Sequence, residues 1–290
     1  MTELNITRSE IDSGQMTEEH LDAGVKAILQ EGYVVLNGVV DPEHLDILHE
    51  RMLADLAALT ARDDAPFNWN TGNIQQDPPP LTPYLFKDIL VNDMVIALTS
   101  AILGTPVKSV FYSGNTAMPL STSRQPVHAD TGHLWPNLEV AHPPVQLVVN
   151  VPIVDVSPAN GSTEIWPGTH LDTTVTAGKD IKLPVDVLEA RRAVSPPFQP
   201  TIARGGILIR DIRLWHAGMP NRTEAPRPMI AMIHVPQWLE SGLPLTFPAG
   251  TEEFFEHPIL RTCARFVDSE IDYINAPHGF EYVKPAAPAR

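Results

Sequence analysis

Residues 125–135 read Gln-Pro-Val-His-Ala-Asp-Thr-Gly-His-Leu-Trp, which places two types of metal-binding side chain one residue apart. If this segment is extended, its side chains alternate across the strand, so His128 and Asp130 point to the same side. An imidazole and a carboxylate held in this way are two of the three ligands in the 2-His-1-carboxylate triad that binds non-haem Fe(II). The motif is short and recurs at residues 170–172. A metal site therefore needs a third ligand from elsewhere in the chain.

Composition describes an ordinary globular protein, with 290 residues, 43% hydrophobic residues and 19% charged residues. The formal net charge of −15 argues against nucleic acid and against an anionic membrane surface as partners. Cys263 is the only cysteine, so no internal disulfide can form. Without an apolar N-terminal run, the expected location is cytoplasmic. Composition leaves the oligomeric state open, and a homodimer is possible.

The first part of the chain shows two helices that are expected to support a sheet. Thr17 is a suitable N-cap for a helix with a helical apolar spacing, and Gly32 follows as its stop. Residues 33–36 are typical of a short strand, and Asp41-Pro42 begins the second helix. Residues 1–16 and 285–290 are expected to be loose tails.

Two segments lack regular periodicity. Residues 61–83 are polar and rich in proline, and either a substrate-covering loop or a plain surface loop fits them. Residues 173–200 are expected to be an irregular insert with a short helix near 185–192. Between the two segments, residues 88–103 favour a helix and residues 107–117 favour a strand.

The second half of the chain is rich in strands. The run 145–154 is typical of a buried strand, Asn160-Gly161 indicates a hairpin turn, and residues 162–166 are expected to form the returning strand. Further strands are predicted at 207–210 and 229–236. Strands separated by turns, with helices mostly at the front, predict a mainly β, antiparallel double sheet in a single domain spanning 1–290. In this context His170 and Asp172 follow a turn and are interpreted as structural.

His216, at the end of a predicted strand, is the candidate third ligand, and Arg227 begins the next strand. Arginine suits a two-point grip on a carboxylate. Each residue alone fits an ordinary role, as a hydrogen-bonded core histidine and a solvated arginine. In the order His, Asp, His, Arg and in a β context, the four together favour a metal site beside a carboxylate-binding site.

The motifs at 125–130, 160–170 and 210–221, followed by Arg227, resemble the phytanoyl-CoA dioxygenase family over roughly residues 20–240. This resemblance implies an Fe(II)- and 2-oxoglutarate-dependent oxygenase on a double-stranded β-helix, the jelly-roll or cupin-like fold, with buttressing α-helices. It further implies that His128, Asp130 and His216 bind the iron and that Arg227 binds the far carboxylate of 2-oxoglutarate. It suggests cosubstrate contacts for Gln125, Thr163 and Asn150.

The reaction implied by the resemblance consumes O2 and 2-oxoglutarate, releases succinate and CO2, and oxidises an unactivated C–H bond. Hydroxylation is the default, and desaturation, epimerisation or ring formation are possible on the same metal. Halogenation is disfavoured because Asp130 occupies the position that a halide needs. The alternative is an inactive or non-redox metal-binding relative that acts as a small-molecule binder.

The substrate does not carry over, because the chain departs from the family in residues 61–83 and 173–200. We expect a small, largely apolar molecule, such as a natural-product intermediate, rather than an acyl-CoA, because no cluster of Lys and Arg stands out for the CoA phosphates. The residues expected to line its pocket are Trp69, Gln75, Phe86, Tyr112, His133 and Trp135.

Overall fold

The computed structural model describes residues 2–135, 137–174 and 181–277. Its helices are α1 Arg8–Ser13, α2 Glu18–Glu31, α3 Pro42–Ala61, α4 Lys87–Leu90, α5 Asp93–Leu103 and α6 Val185–Val194. Its strands are β1 Glu3–Asn5, β2 Tyr33–Asn37, β3 Asn73–Gln75, β4 Val107–Ala117, β5 Leu147–Pro152, β6 Glu164–Ile165, β7 Ile207–Asp211, β8 His216–Ala217, β9 Arg227–Pro236, β10 Leu245–Pro248, β11 Leu260–Thr262 and β12 Ala264–Val267. Short 3-10 helices occur at Asn68–Asn70, Thr169–Leu171 and Glu252–Phe255.

An eight-stranded mixed sheet, here called the major sheet, dominates the structure. Its order is β1-β2-β7-β5-β9-β4-β11, with β3 paired to β4. The β1–β2 and β4–β11 pairs are parallel, and the other pairs in this sheet are antiparallel. The prediction of a mainly β protein is confirmed at this level.

The two faces of the major sheet differ because successive side chains point to opposite sides. The outer face carries Val149, Ile209 and Ile230, which share one buried core with Leu48 of α3 and Leu98 of α5. The helices therefore cover the outer face, as the sequence predicted. The inner face is the side to which Arg227 on β9 and its register partner Ala117 on β4 point.

A second layer contains the pair β6–β8 and a set of isolated bridges. His128 bridges His216, and Ile165 bridges Phe198. The predicted return strand 162–166 is therefore only partly correct. Its ordered part, β6, pairs with β8 instead of turning back onto β5, because the Asn160–Gly161 turn leads the chain into the second layer.

The expectation of a loose N-terminal tail is wrong for most of residues 1–16. Here β1 pairs with β2, and α1 has a capping box formed by Thr7 and Glu10. The buried Glu10 carboxylate also accepts hydrogen bonds from the backbone N–H and hydroxyl of Thr17, both at 2.8 Å. Glu10 therefore links α1 to α2. The composition of a polar segment does not reveal a link of this kind. Residues 285–290 lie outside the described residues.

The helix predicted at 88–103 is two helices. Asn92 separates α4 from α5, and its side-chain oxygen accepts hydrogen bonds from the N–H groups of Met94 and Val95. The capping side chain takes the place of the helical backbone hydrogen bonds at this point, so one helix ends before Asn92 and the next begins after it. In the ranges that the structure describes, no helix is both long enough and apolar enough to cross a membrane.

Candidate active site

His128 and His216 are held opposite each other by their own backbones. The His128 N–H donates to the His216 carbonyl at 3.0 Å, and the His216 N–H donates back at 2.9 Å. Their ring centroids are 4.3 Å apart. A reciprocal pair of this kind fixes both Cα positions, so the relative position of the two imidazoles does not depend on a flexible loop.

The hydrogen bonds of each ring decide which nitrogen is available. In His128 Nδ1 lies 2.9 Å from the Pro126 carbonyl, and in His216 Nδ1 lies 2.9 Å from the Leu214 carbonyl. A carbonyl only accepts, so both Nδ1 atoms carry a proton, and in a neutral ring of this tautomer the lone pair is on Nε2. Burial, together with the neighbouring His216, lowers the pKa of His128 to about 3, which keeps its ring neutral at neutral pH.

Asp130 completes the group. Its Oδ1 lies 3.7 Å from Nε2 of His128 and 3.5 Å from Nε2 of His216. One ligand atom from each of the three residues lies within 4.8 Å of the other two. Among the described residues, these three form the group of His, Cys, Asp or Glu side chains that could hold a metal ion. Two imidazoles and one carboxylate match the donor set of a non-haem Fe(II) site.

Arg210 of β7 binds the other carboxylate oxygen. Its Nη2 donates to Oδ2 of Asp130 at 2.7 Å, and its side chain is buried. This ion pair occupies Oδ2 and leaves Oδ1 facing the two histidines. The arrangement therefore favours a carboxylate that offers one oxygen to a metal.

Arg227 is buried and 1% exposed, and its Nη2 donates to the Gly161 carbonyl at 2.8 Å. Its Nε has no hydrogen-bond partner, and no Asp or Glu of the described chain forms an ion pair with it. Burial lowers its pKa to about 10. A buried cation without a counter-ion is costly, so this position is prepared for an anionic ligand.

The three residues predicted to contact a cosubstrate are placed on separate segments of the structure. The Oε1 of Gln125 accepts from the Gly218 N–H at 2.8 Å. A Cβ on Gly218 would lie 2.6 Å from that Oε1, so a larger residue there would displace the Gln125 side chain. Asn150 is buried on β5, opposite Ala231 of β9. Thr163 is half-buried and directly precedes β6.

Two of the predicted substrate residues lie on the inner side. Trp69 is 36% exposed, and its ring centroid is 4.6 Å from that of His128. Gln75 of β3 pairs with Asn115 of β4, and its Nε2 donates to Ser113 Oγ at 2.5 Å. These positions agree with a substrate contact, whereas the next two do not.

Phe86 and Tyr112 belong to the helix-covered core, so their assignment to the pocket is wrong. Phe86 stacks on His44 of α3 with ring centroids 4.1 Å apart. Tyr112 packs against Phe247 at 5.8 Å on the outer face. Tyr112 alternates with Ser113 along β4 and pairs with Met232 of β9, so its side chain points to the outer face.

His133 and Trp135 contact a different cluster. His133 Nδ1 lies 3.1 Å from Arg213 Nη1, and its Nε2 lies 3.0 Å from the Asp172 carbonyl. Trp135 is half-exposed and meets the edge of His142, with centroids 5.4 Å apart. Both ring nitrogens of His133 are thus engaged by the protein. The second His-x-Asp motif does not converge either, because His170 faces the Leu29 carbonyl at 3.3 Å while Asp172 accepts from Thr174.

The sequence matches the family described as Phytanoyl-CoA dioxygenase (PhyH) over residues 28–229, which is more than half of the chain. The chain belongs to the phytanoyl-CoA dioxygenase family. This family uses Fe(II) and 2-oxoglutarate, and the predicted cofactor and cosubstrate are confirmed. In this PhyH-family chain the matched range contains both histidines, Asp130 and Arg227.

Solved structures share the fold of this PhyH-family chain. AviO1 from Streptomyces viridochromogenes Tue57 is 20% identical, with a TM-score of 0.57, and the match covers 78% of this chain and 100% of AviO1. EctD from S. alaskensis, solved with 2-oxoglutarate and 5-hydroxyectoine, is 16% identical with a TM-score of 0.56, and 76% of each chain is covered. HygX from Streptomyces hygroscopicus, solved with nickel, 2-oxoglutarate and hygromycin B, is 14% identical with a TM-score of 0.55, covering 88% of this chain and 98% of HygX.

Sequence reasoning missed the parts played by Arg210 and Asn73. Arg210 stands in the strand sequence Ile-Leu-Ile-Arg-Asp, and a cation in a buried strand was a usable signal for a charged partner. Asn73 is buried, its Nδ2 has no partner, and it lies beside Gly218 and Gln125. No local pattern in its polar segment marked Asn73.

Proposed function

We propose that this chain is an Fe(II)- and 2-oxoglutarate-dependent dioxygenase that oxidises a C–H bond of a small organic molecule. The observation that carries the proposal is the convergence of two Nε2 atoms and Oδ1 of Asp130 within 4.8 Å of one another. The buried Arg227 without a counter-ion supports it independently, because a dicarboxylate cosubstrate requires a cationic site.

The donor set fits iron by its chemistry. The His128, Asp130 and His216 side chains would hold Fe(II). When bound, Fe(II) supplies the redox chemistry that couples decarboxylation of 2-oxoglutarate to substrate oxidation. The protein itself keeps both rings oriented through their Nδ1–H bonds and keeps Oδ1 of Asp130 directed inward through Arg210.

Arg227 would bind the distal carboxylate of 2-oxoglutarate and so fix its keto acid end toward the histidines. Its Nε and Nη1 make no hydrogen bond to an oxygen in the described residues, so two donors remain for a two-point contact. Gln125, Asn150 and Thr163 would complete the cosubstrate site.

The reaction that we propose is hydroxylation, the default outcome of this chemistry. The substrate C–H, O2 and 2-oxoglutarate give the alcohol, succinate and CO2, with one oxygen atom in the alcohol and the other in succinate. A natural-product intermediate remains our proposed substrate type. We propose that the enzyme is a single-domain jelly roll and that it acts in the cytoplasm. Leu208 of the major sheet and Ile165 of the second layer belong to one buried apolar cluster. This packing of two sheets face to face supports the jelly-roll proposal.

The test is succinate formation from 2-oxoglutarate by the purified protein in air. We expect succinate only when Fe(II) is added, and we expect Zn(II) or a chelator to abolish it. Metal binding without any succinate, with or without candidate substrates, would instead favour the non-catalytic relative. His170 and Asp172 supply an internal control, since Asp172→Ala should leave succinate formation unchanged.

A further inference from the structure

A hairpin formed by residues 66–75 packs on α3 and contacts the candidate metal ligand His128. Phe67 bridges Ile74, and the Gln75 N–H donates to the Pro66 carbonyl at 2.9 Å. Phe67 and Ile74 pack with Leu56 and Leu59 of α3 in one apolar cluster. One side of the hairpin is therefore anchored to the helix, which leaves its other side for the site.

The tip of this hairpin carries Trp69. Its backbone has φ of 49°, a left-handed conformation that is rare for a bulky residue. The tip is closed by Thr71, whose hydroxyl donates to the Asn68 carbonyl at 2.7 Å. Strained backbone of this type is retained mainly where function requires it. Here the strain places an exposed indole ring against His128.

The inner face beside Trp69 is polar. By register, Asn73 and Gln75 of β3 and Ser113 and Asn115 of β4 share the face of Arg227. We call these four residues the polar strip. Ser113 also donates to Asp77, so Gln75, Ser113 and Asp77 form one hydrogen-bonded row.

The polar strip retains unused hydrogen-bonding capacity. Asn73 Nδ2 is buried and unpaired. The half-buried Asn115 side chain makes no hydrogen bond to any of the described residues. Buried or half-buried amides without partners are costly unless a ligand or water satisfies them. Amides both donate and accept, which matches hydroxyl groups.

The opposite end of the inner face is closed and apolar. Tyr33, Val35 and Leu208 pack there with Leu214 and Ile165 of the second layer. Apolar surface at that end is consumed by the fold. Ala231 and Ile233 of β9 are half-buried and share the inner face by register, so this face also carries apolar surface. Beside the hairpin, the polar strip and Trp69 favour a substrate with hydroxyl groups over a wholly apolar one.

We propose that the primary substrate is a neutral polyhydroxylated molecule of the sugar or cyclitol class. It places one C–H face on Trp69 and directs its hydroxyl groups to the polar strip, and this inference rests on the proposed function. An aromatic ring beside a few polar groups that fix orientation is the usual composition of a small-molecule site. The strip contains no Lys or Arg, so it offers nothing to the phosphates of a CoA thioester.

The experiment measures binding by ligand-observed saturation-transfer NMR. The protein is loaded with 2-oxoglutarate and with Ni(II) in place of iron, so that no turnover occurs. Three sets of probes are compared, namely methyl glycosides with inositols, medium-chain fatty acids with phenylalkanols, and an acyl-CoA. We expect binding from members of the first set. Gln75→Leu and Asn115→Leu should each weaken it roughly tenfold, because a hydrogen bond is lost at a site with unpaired partners.

The matched control is Gln30→Leu, which changes an exposed glutamine on α2 and should bind like the wild type. Unchanged melting temperatures confirm that each variant is folded, and Trp69→Ala offers a second, exposed position if one fails. If no glycoside or inositol binds, the proposal is wrong, whether or not the other probe sets bind. The proposal is also wrong if glycosides or inositols bind equally well to both strip variants. Iron-dependent succinate formation without a probe, measured on the same protein, tests the proposed function separately.

Discussion

Arg227 is a cation that the folded protein leaves without a counter-ion, and we predict that its task is cosubstrate binding. Loss of one side of a desolvated charge pair typically costs about 2–5 kcal/mol. Arg227→Ala should therefore raise the apparent constant for 2-oxoglutarate roughly thirtyfold or more. Arg227→Lys should recover only part, because a point charge cannot reproduce the two-point contact. Titration of 2-oxoglutarate against succinate formation measures this, and an unchanged constant would contradict the assignment of Arg227 as the cosubstrate anchor.

Arg210 acts on the metal site through Asp130, so we predict a change in coordination when it is removed. In Arg210→Met the Oδ2 atom loses its partner and is free to become a second ligand oxygen. Partners that orient a metal ligand are typically worth 10- to 100-fold in metal affinity or activity, and we expect succinate formation to fall by about that much. The absorption spectrum of the Co(II)-loaded protein reports the coordination number and should shift. Arg210→Lys should restore part of both signals. Normal turnover with an unshifted spectrum in Arg210→Met would contradict the assignment.

At the scale of elements, we predict that a change in the 66–75 hairpin affects the oxidation of the substrate but not the binding of the cosubstrate. Replacing residues 68–71 by a short glycine turn removes Trp69 but keeps Phe67 and Ile74 on α3. Substrate oxidation should fall, whereas iron binding and uncoupled 2-oxoglutarate consumption should persist, because Arg227 and both histidines lie on other elements. The ratio of succinate formed to substrate oxidised is the readout. If that ratio and the activity both stay normal, the hairpin is only surface, and the pocket must be sought beside residues 181–200.

The first two helices share the carboxylate of Glu10, which gives a pH prediction. Burial opposes ionisation, yet hydrogen bonds from Thr17 and Thr7 hold the pKa of Glu10 well below its ordinary value of 4.5. A group with a depressed folded pKa stabilises the protein above the unfolded pKa, and this contribution is lost as the pH falls through 4.5 toward the folded value. Urea unfolding should therefore show a steeper acid loss of stability in the wild type than in Glu10→Gln. Parallel curves for the two proteins would refute this.

For the molecule as a whole, local features were predictable and long-range pairings were not. Thr17 and Gly32 bound α2 as expected, because caps depend on neighbours in sequence. The shared side of His128 and Asp130 followed from strand alternation alone. Tyr112 was assigned to the pocket because the local pattern of β4 does not show which of its two faces the helices cover.

The partners of each strand were the main information absent from the local patterns. β6 pairs with β8, across a long stretch of chain, and this pairing helps to place His216 in the second layer. Arg210 could be read as a buried cation, but its partner Asp130 belongs to a different layer. The residues near the site were thus predictable where a family motif carries them, whereas the hairpin, the polar strip and Arg210 required the three-dimensional arrangement.

The central claim is that His128, Asp130 and His216 hold a single Fe(II), and anaerobic iron titration with elemental analysis tests it most directly. The wild type and Asp172→Ala, which changes only the second His-x-Asp motif, should each bind one iron per chain. His128→Ala, Asp130→Ala and His216→Ala should retain little iron, with their folding verified by circular dichroism. Wild-type iron content in all three folded alanine variants would contradict the account.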